Sequence, residues 1–269
     1  MQRREFLAAS AAAALSAAAG GAALAGADAP GKQLIELRTY HFASQDKLRR
    51  FEEFFSHAAP AFARAGVSTV GLFKLLAKDN PDLELGADAT DLYELLAHES
   101  FDAFLSLPQR LISDTEFLQA GAAIFLAPKS DPAFTRYESS LMIGFDQWPR
   151  VVVPAASKSE KRVLQLRTYE SHSTERARKK IEMFNEGGEI AIFKRVGMNP
   201  VFFGQTLVGS KQPNLTYMLA FDDDAALKNA WNAFRGDPDW KKLSADEAYK
   251  DTVTTITNLI LRPAAGSEI

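Results

Sequence analysis

Residues 33–40 alternate strictly between apolar and polar positions, which predicts a strand. Ile35, Leu37 and Thr39 fall on one face, and Leu34, Glu36, Arg38 and Tyr40 on the other. The period then changes. Ser44 is a good N-cap for a helix whose inward stripe reads Leu48, Phe51, Phe54, Phe55, Ala58 and Phe62. Pro60 should bend or interrupt that helix, and Gly66 should end it. Strands are predicted over 67–77 and 91–98, joined by a turn-rich loop over 78–90. A short helix over 99–107 follows, then a capping box, Ser113-Asp114-Thr115-Glu116, that opens another. A strand over 134–145 closes the series.

After a polar, proline-containing stretch the same order returns. A strand covers 163–169. Ser173 or Thr174 caps a helix with Ala177, Ile181, Phe184, Ala191 and Ile192 inward, interrupted at Gly187-Gly188. Strands follow over 199–208 and 215–221. Residues 222–224 cap a helix bearing Leu227, Trp231 and Phe234, and Asp237-Pro238 starts another with proline at the first helical position. The last strand covers 252–261. The quartet Leu37-Arg38-Thr39-Tyr40 recurs as Leu166-Arg167-Thr168-Tyr169, 129 residues on. We therefore read one module twice: residues 33–146, a linker over 147–162, and residues 163–263. Each module is βαββαβ, a ferredoxin-like plait with helices on one sheet face only. The expected fold class is α+β, with the two helix-free faces packed sheet to sheet as an intramolecular barrel. In that arrangement Arg38, Tyr40, Arg167 and Tyr169 face the interior between the sheets.

The residues Glu36-Leu37-Arg38-Thr39-Tyr40, and the run from Trp231-Asn232-Ala233-Phe234-Arg235-Gly236 through Asp237-Pro238-Asp239-Trp240, resemble the NIPSNAP family. The resemblance covers both modules and implies the dimeric α/β-barrel fold. The first module departs from it. Phe101-Asp102-Ala103-Phe104 stands where the Trp–Phe helix should be, and the Asp-Pro-Asp-Trp element is absent there. In the second module Gln165 replaces the first module's glutamate. The family implies binding or signalling roles and no fixed catalytic residues. Its fold also serves haem enzymes, cofactor-free monooxygenases and lactone isomerases, so function must be argued from the site.

Composition narrows the choice. The 269 residues carry a formal charge of −3, which gives no electrostatic case for nucleic acid. There is no cysteine, so disulfides, thiolate catalysis and cysteine metal sites are excluded. Arg3-Arg4-Glu5-Phe6-Leu7 followed by an alanine-rich stretch reads as a twin-arginine signal peptide over 1–27, with Ala25-Gly26-Ala27 as its cleavage site. The expected product is periplasmic or secreted, without stable membrane insertion after cleavage.

The candidate chemistry lies on the polar face of the two repeated strands. Buried charge is costly unless paired. Arg38 and Arg167 therefore call for carboxylates, a ligand anion or water. The candidate ligand-binding set is Glu36, Arg38, Tyr40, Glu94, Gln165, Arg167 and Tyr169, with Glu138 as a further partner. Two readings stand. One is an internal pocket for a small polar or anionic organic molecule, the arginine fork gripping the anion. The other is a salt-bridge network that fixes how the sheets dock. If the site is catalytic, Tyr40 or Tyr169 is the proton donor and Arg38 or Arg167 holds an anionic intermediate. The alternatives are an oxygenase or isomerase of this fold and a ligand-free scaffold. None of His41, His57, His98 and His172 forms a ligand pair, so no metal site is expected. Haem stays open as a cofactor, with His98, at a strand end and on the parity of Glu94, as its candidate ligand. Self-association stays open. Phe51, Phe54, Phe55, Phe62, Trp231, Phe234 and Trp240 read as core.

Overall fold

The computed structural model describes residues 31–85 and 90–269. The signal peptide read in residues 1–27 and the end of the 78–90 loop lie outside them. The first half runs β1 (Leu34–His41), α1 (Gln45–Arg64), β2 (Val67–Leu75), β3 (Asp91–His98), α2 (Phe101–Ile112), α3 (Thr115–Ala120), α4 (Ala122–Phe125) and β4 (Arg136–Gly144). The second runs β5 (Val163–Glu170), α5 (Thr174–Phe184), α6 (Glu189–Arg195), β6 (Asn199–Val208), β7 (Asn214–Phe221), α7 (Asp224–Gly236), α8 (Pro238–Ser244) and β8 (Thr255–Pro263).

The repeated caps set the repeated helices. The Ser44 side chain accepts from the Lys47 amide at the start of α1, and Ser173, 129 residues on, accepts from the Arg176 amide at the start of α5. Pro60 does not interrupt α1, contrary to expectation. Ala61 and Phe62 beyond it are buried, and burying that last turn outweighs the one lost backbone bond. For the same reason α2 continues past Pro108 to bury Leu111. The break at Gly187-Gly188 does occur, with Gly188 at φ 88°, a conformation open to glycine, so one helix in the first half becomes α5 and α6 in the second.

All eight strands form one closed antiparallel barrel in the order β1-β3-β2-β8-β5-β7-β6-β4. Each half contributes four neighbouring strands, with its first strand between its third and fourth. The seams are short. β2 meets β8 from Phe73↔Pro263 to Leu75↔Leu261, and β4 meets β6 from Leu141↔Val208 to Gly144↔Gly204. Gly204 is needed at its seam, since a Cβ there would stand 2.9 Å from the Met142 Cβ. The 147–162 stretch is docked on the barrel: the Val152 amide bonds the Val201 carbonyl and the Trp148 indole bonds the same oxygen.

The strand alternation is as read, but its two faces lie opposite to expectation. The aliphatic face fills the barrel, where Ile35, Leu95, Met142, Leu164, Leu166, Met218 and Leu261 form one buried cluster drawn from both halves. The face bearing Glu36, Arg38, Tyr40, Gln165, Arg167 and Tyr169 lies under the helices. Tyr40 packs on Phe51 of α1 at 4.6 Å, and Gln165 bonds Trp231 of α7. A closed barrel excludes water and offers its core few polar partners, so the aliphatic face goes inside. The helix layer can carry partners for charge and opens to solvent at its edge.

Candidate functional site

In the first half the polar face is a closed network. Arg38 donates from Nε to Glu36 Oε1 at 2.6 Å, from Nη2 to Glu36 Oε2 at 3.0 Å and from Nη1 to Glu94 Oε2 at 3.1 Å. Ser139 donates to Glu36 at 2.8 Å, His98 lies 3.2 Å from its other oxygen, and the Tyr40 hydroxyl donates to Glu94 at 3.3 Å. Burial raises the Glu36 carboxyl, but the His98 bond, the Arg38 charge and bonds and the Ser139 bond outweigh it and bring it to about 2. Glu94 is wholly buried with fewer donors, and burial pushes its carboxyl up despite Arg38. Tyr137 of β4 closes the edge, stacked 5.2 Å from Tyr40 with the Arg38 guanidinium 5.8 Å from its ring. Glu138 does not join this network. It pairs in register with Thr39, on the other face, and Ser139 takes the place expected for it. His98 is fully buried against Glu36 and Phe104, not at a strand edge or a pocket mouth.

In the second half the same strand positions are open. Gln165 stands where Glu36 does. Tyr217, in register with Arg167, stands where Glu94 does opposite Arg38. Two carboxylates are thus replaced by neutral groups, and Arg167 makes no ion pair within 4 Å among the described residues. Its Nε is buried with no hydrogen-bond partner. Its guanidinium lies 4.8 Å from the Trp231 ring and 5.4 Å from the Tyr169 ring, a cation–π setting. Lys180 falls on α5 where Phe51 falls on α1. It is buried, donates to Glu189 Oε2 at 2.7 Å, and stands 4.7 Å from the Phe184 ring and 5.8 Å from the Trp240 ring. The Tyr169 and Tyr217 hydroxyls are 3.0 Å apart. Burial raises the Tyr217 phenol well above its ordinary range.

These groups line a cleft of about 730 Å³ between the sheet and α5–α8. Trp231 and Trp240, read as core, are half-buried walls of it, while Phe234 is core. Ile256 of β8, in register with Tyr169 as Tyr137 is with Tyr40, leaves the edge open. Lys228 and Arg235 are exposed at the mouth. The lining cations therefore outnumber Glu189, the one carboxylate among the lining residues. Of the seven expected residues, the structure gathers Glu36, Arg38, Tyr40 and Glu94 in a sealed network, and Gln165, Arg167 and Tyr169 at an open cleft. Sequence reasoning missed Lys180, Glu189 and Tyr217. For Lys180 the signal was its place 129 residues after Phe51.

Residues 164–268 match the NIPSNAP family model. The match spans the second half from β5 onward, hence the whole cleft. In the NIPSNAP-matching half both stretches that carry the resemblance, Arg167 with Tyr169 and Trp231 with Trp240, converge on one cavity. A provisionally assigned monooxygenase from Fusobacterium nucleatum superposes with a TM-score of 0.56 at 11% identity, covering 87% of this chain and 93% of its own. Another from Lactobacillus acidophilus gives 0.53 at 13%, covering 88% and 97%. At that identity the likeness shows the fold, an α+β closed barrel shared across nearly the full length. A search of curated proteins finds no match.

Proposed function

We propose that this chain binds a small organic anion with an apolar, ring-bearing body in the cleft of its NIPSNAP-matching half, and that its first half is a diverged copy with a structural role. The observation that carries the reading is Arg167, an arginine beneath two aromatic rings with no carboxylate, beside a strand whose counterpart supplies two. A cationic, mostly apolar cleft with a few convergent polar groups is the usual form of a small-molecule site. The site lies beneath the helices rather than between the sheets. The Arg3-Arg4 leader supports export before the ligand is met.

Thermal unfolding with benzoate tests the reading. Benzoate is expected to raise the melting temperature of the wild-type protein and to leave Arg167→Met unmoved. Equal shifts in the two proteins, or none in either, would count against it.

A further inference from the structure

The cleft holds more than an anion anchor. Glu189 is buried, and its Oε2 is taken by Lys180. Its Oε1 has no hydrogen bond among the described residues and faces the cavity that Glu189 lines. The break at Gly187-Gly188 puts it there: Glu189 is the first residue of α6, in a turn that the unbroken α1 lacks. Tyr217 is wholly buried, and Tyr169 is the one hydrogen-bond partner found for its hydroxyl. The Tyr217 hydrogen therefore points to the Tyr169 oxygen, which leaves the Tyr169 hydrogen free to donate into the cleft. A carboxylate with one open oxygen, a phenol with a free hydrogen and an unpaired guanidinium thus line one cavity walled by indole rings.

From this geometry we infer that the cleft catalyses cofactor-free proton transfer at carbon, on aryl-bearing 2-oxo acids whose C–H lies next to the carbonyl. The inference rests on the anion-binding reading above. Arg167 holds the carboxylate. Glu189 Oε1 takes the proton as the C–H bond breaks, and the electron pair moves through the new C=C bond onto the carbonyl oxygen. The Tyr169 hydroxyl bonds that oxygen as its charge develops. The Glu189 proton exchanges with water, and a solvent proton returns to carbon, so that the 2-oxo acid is regenerated with a solvent hydrogen. No oxidant or second substrate enters. Lys180 and Tyr217 are positioning residues. Lys180 fixes one Glu189 oxygen and so aims the other, and Tyr217 orients the Tyr169 hydrogen.

The test is deuterium incorporation at C3 of phenylpyruvate in D2O, followed by proton NMR with the full protein, alongside phenylpyruvate binding by calorimetry. The wild type is expected to exchange C3 at least tenfold faster than buffer. Glu189→Gln should bind phenylpyruvate yet exchange at the buffer rate. Because that change leaves Lys180 buried without its counter-ion, the double variant Glu189→Gln/Lys180→Met serves as a folded control with the same expected loss. Tyr217→Phe should lower the exchange rate with little effect on affinity. Phenylpyruvate that binds but exchanges at the buffer rate in the wild type would overturn the catalytic inference and leave the binding reading intact. Full exchange in the glutamate variants would do the same. Absence of binding would overturn both.

Discussion

Arg38 and Arg167 hold the same place in two repeated strands, and only Arg38 is bonded to carboxylates. Glu36 and Glu94 occupy all three of its nitrogens. Where they stand, the second half has Gln165 and Tyr217. The two arginines should therefore answer differently to the same substitution. Arg38→Met strands two buried carboxylates and is expected to cost about 3–5 kcal/mol. Arg167→Met strands none and should cost less than about 1 kcal/mol, with its effect on ligand instead. Denaturant unfolding of both variants checks the contrast.

The Glu36 carboxyl, at about 2 in the folded protein against 4.5 for an ordinary glutamate, makes the first half acid-sensitive. Its folded pKa is depressed, so the stability it contributes is complete above about pH 4.5 and is lost as pH falls toward 2. The full contribution is up to about 3 kcal/mol. Urea unfolding across pH 5 to 2.5 should show a steeper loss for the wild type than for Glu36→Gln, with the two curves converging at the acid end.

Closing the second-half cleft as the first half is closed should abolish binding without unfolding the protein. Ile256→Tyr places a ring where Tyr137 stands over Tyr40. Gln165→Glu supplies the carboxylate that Arg167 lacks and can still accept from the Trp231 indole. Each is expected to weaken benzoate binding more than tenfold by calorimetry, with melting temperature kept or raised.

The Lys180–Glu189 pair should behave as a coupled unit. Lys180→Met alone leaves a buried carboxylate unpaired and should cost about 3–5 kcal/mol. Adding Glu189→Gln should recover more than half of that loss. A double-mutant cycle by chemical denaturation measures the coupling.

Much of this was legible in the sequence, because duplication writes the same local signals twice. Ser44 and Ser173 as caps, the repeated Leu-Arg-Thr-Tyr strands and the Asp237-Pro238 start all form as their side chains dictate. What each strand face meets was not legible. Alternation separates Leu37 from Arg38 but does not say which side is covered by helices, and barrel closure depends on the distant pairings of β2 with β8 and β4 with β6. Lys180 was overlooked because Ile181 beside it fits the apolar stripe better, yet Lys180 is the more buried of the two. Glu189 carries no local signal of its role. Its place follows from the Gly187-Gly188 break, which was legible, and from the Lys180 side chain that meets it.

The most direct measurement is a crystal structure of the protein with 4-bromobenzoate, read by the anomalous signal of bromine. The expected result is one strong peak in the cleft walled by Trp231 and Trp240, with the carboxylate on Arg167. A peak inside the barrel or beneath α1 beside Arg38, with the second-half cleft empty, would contradict the account.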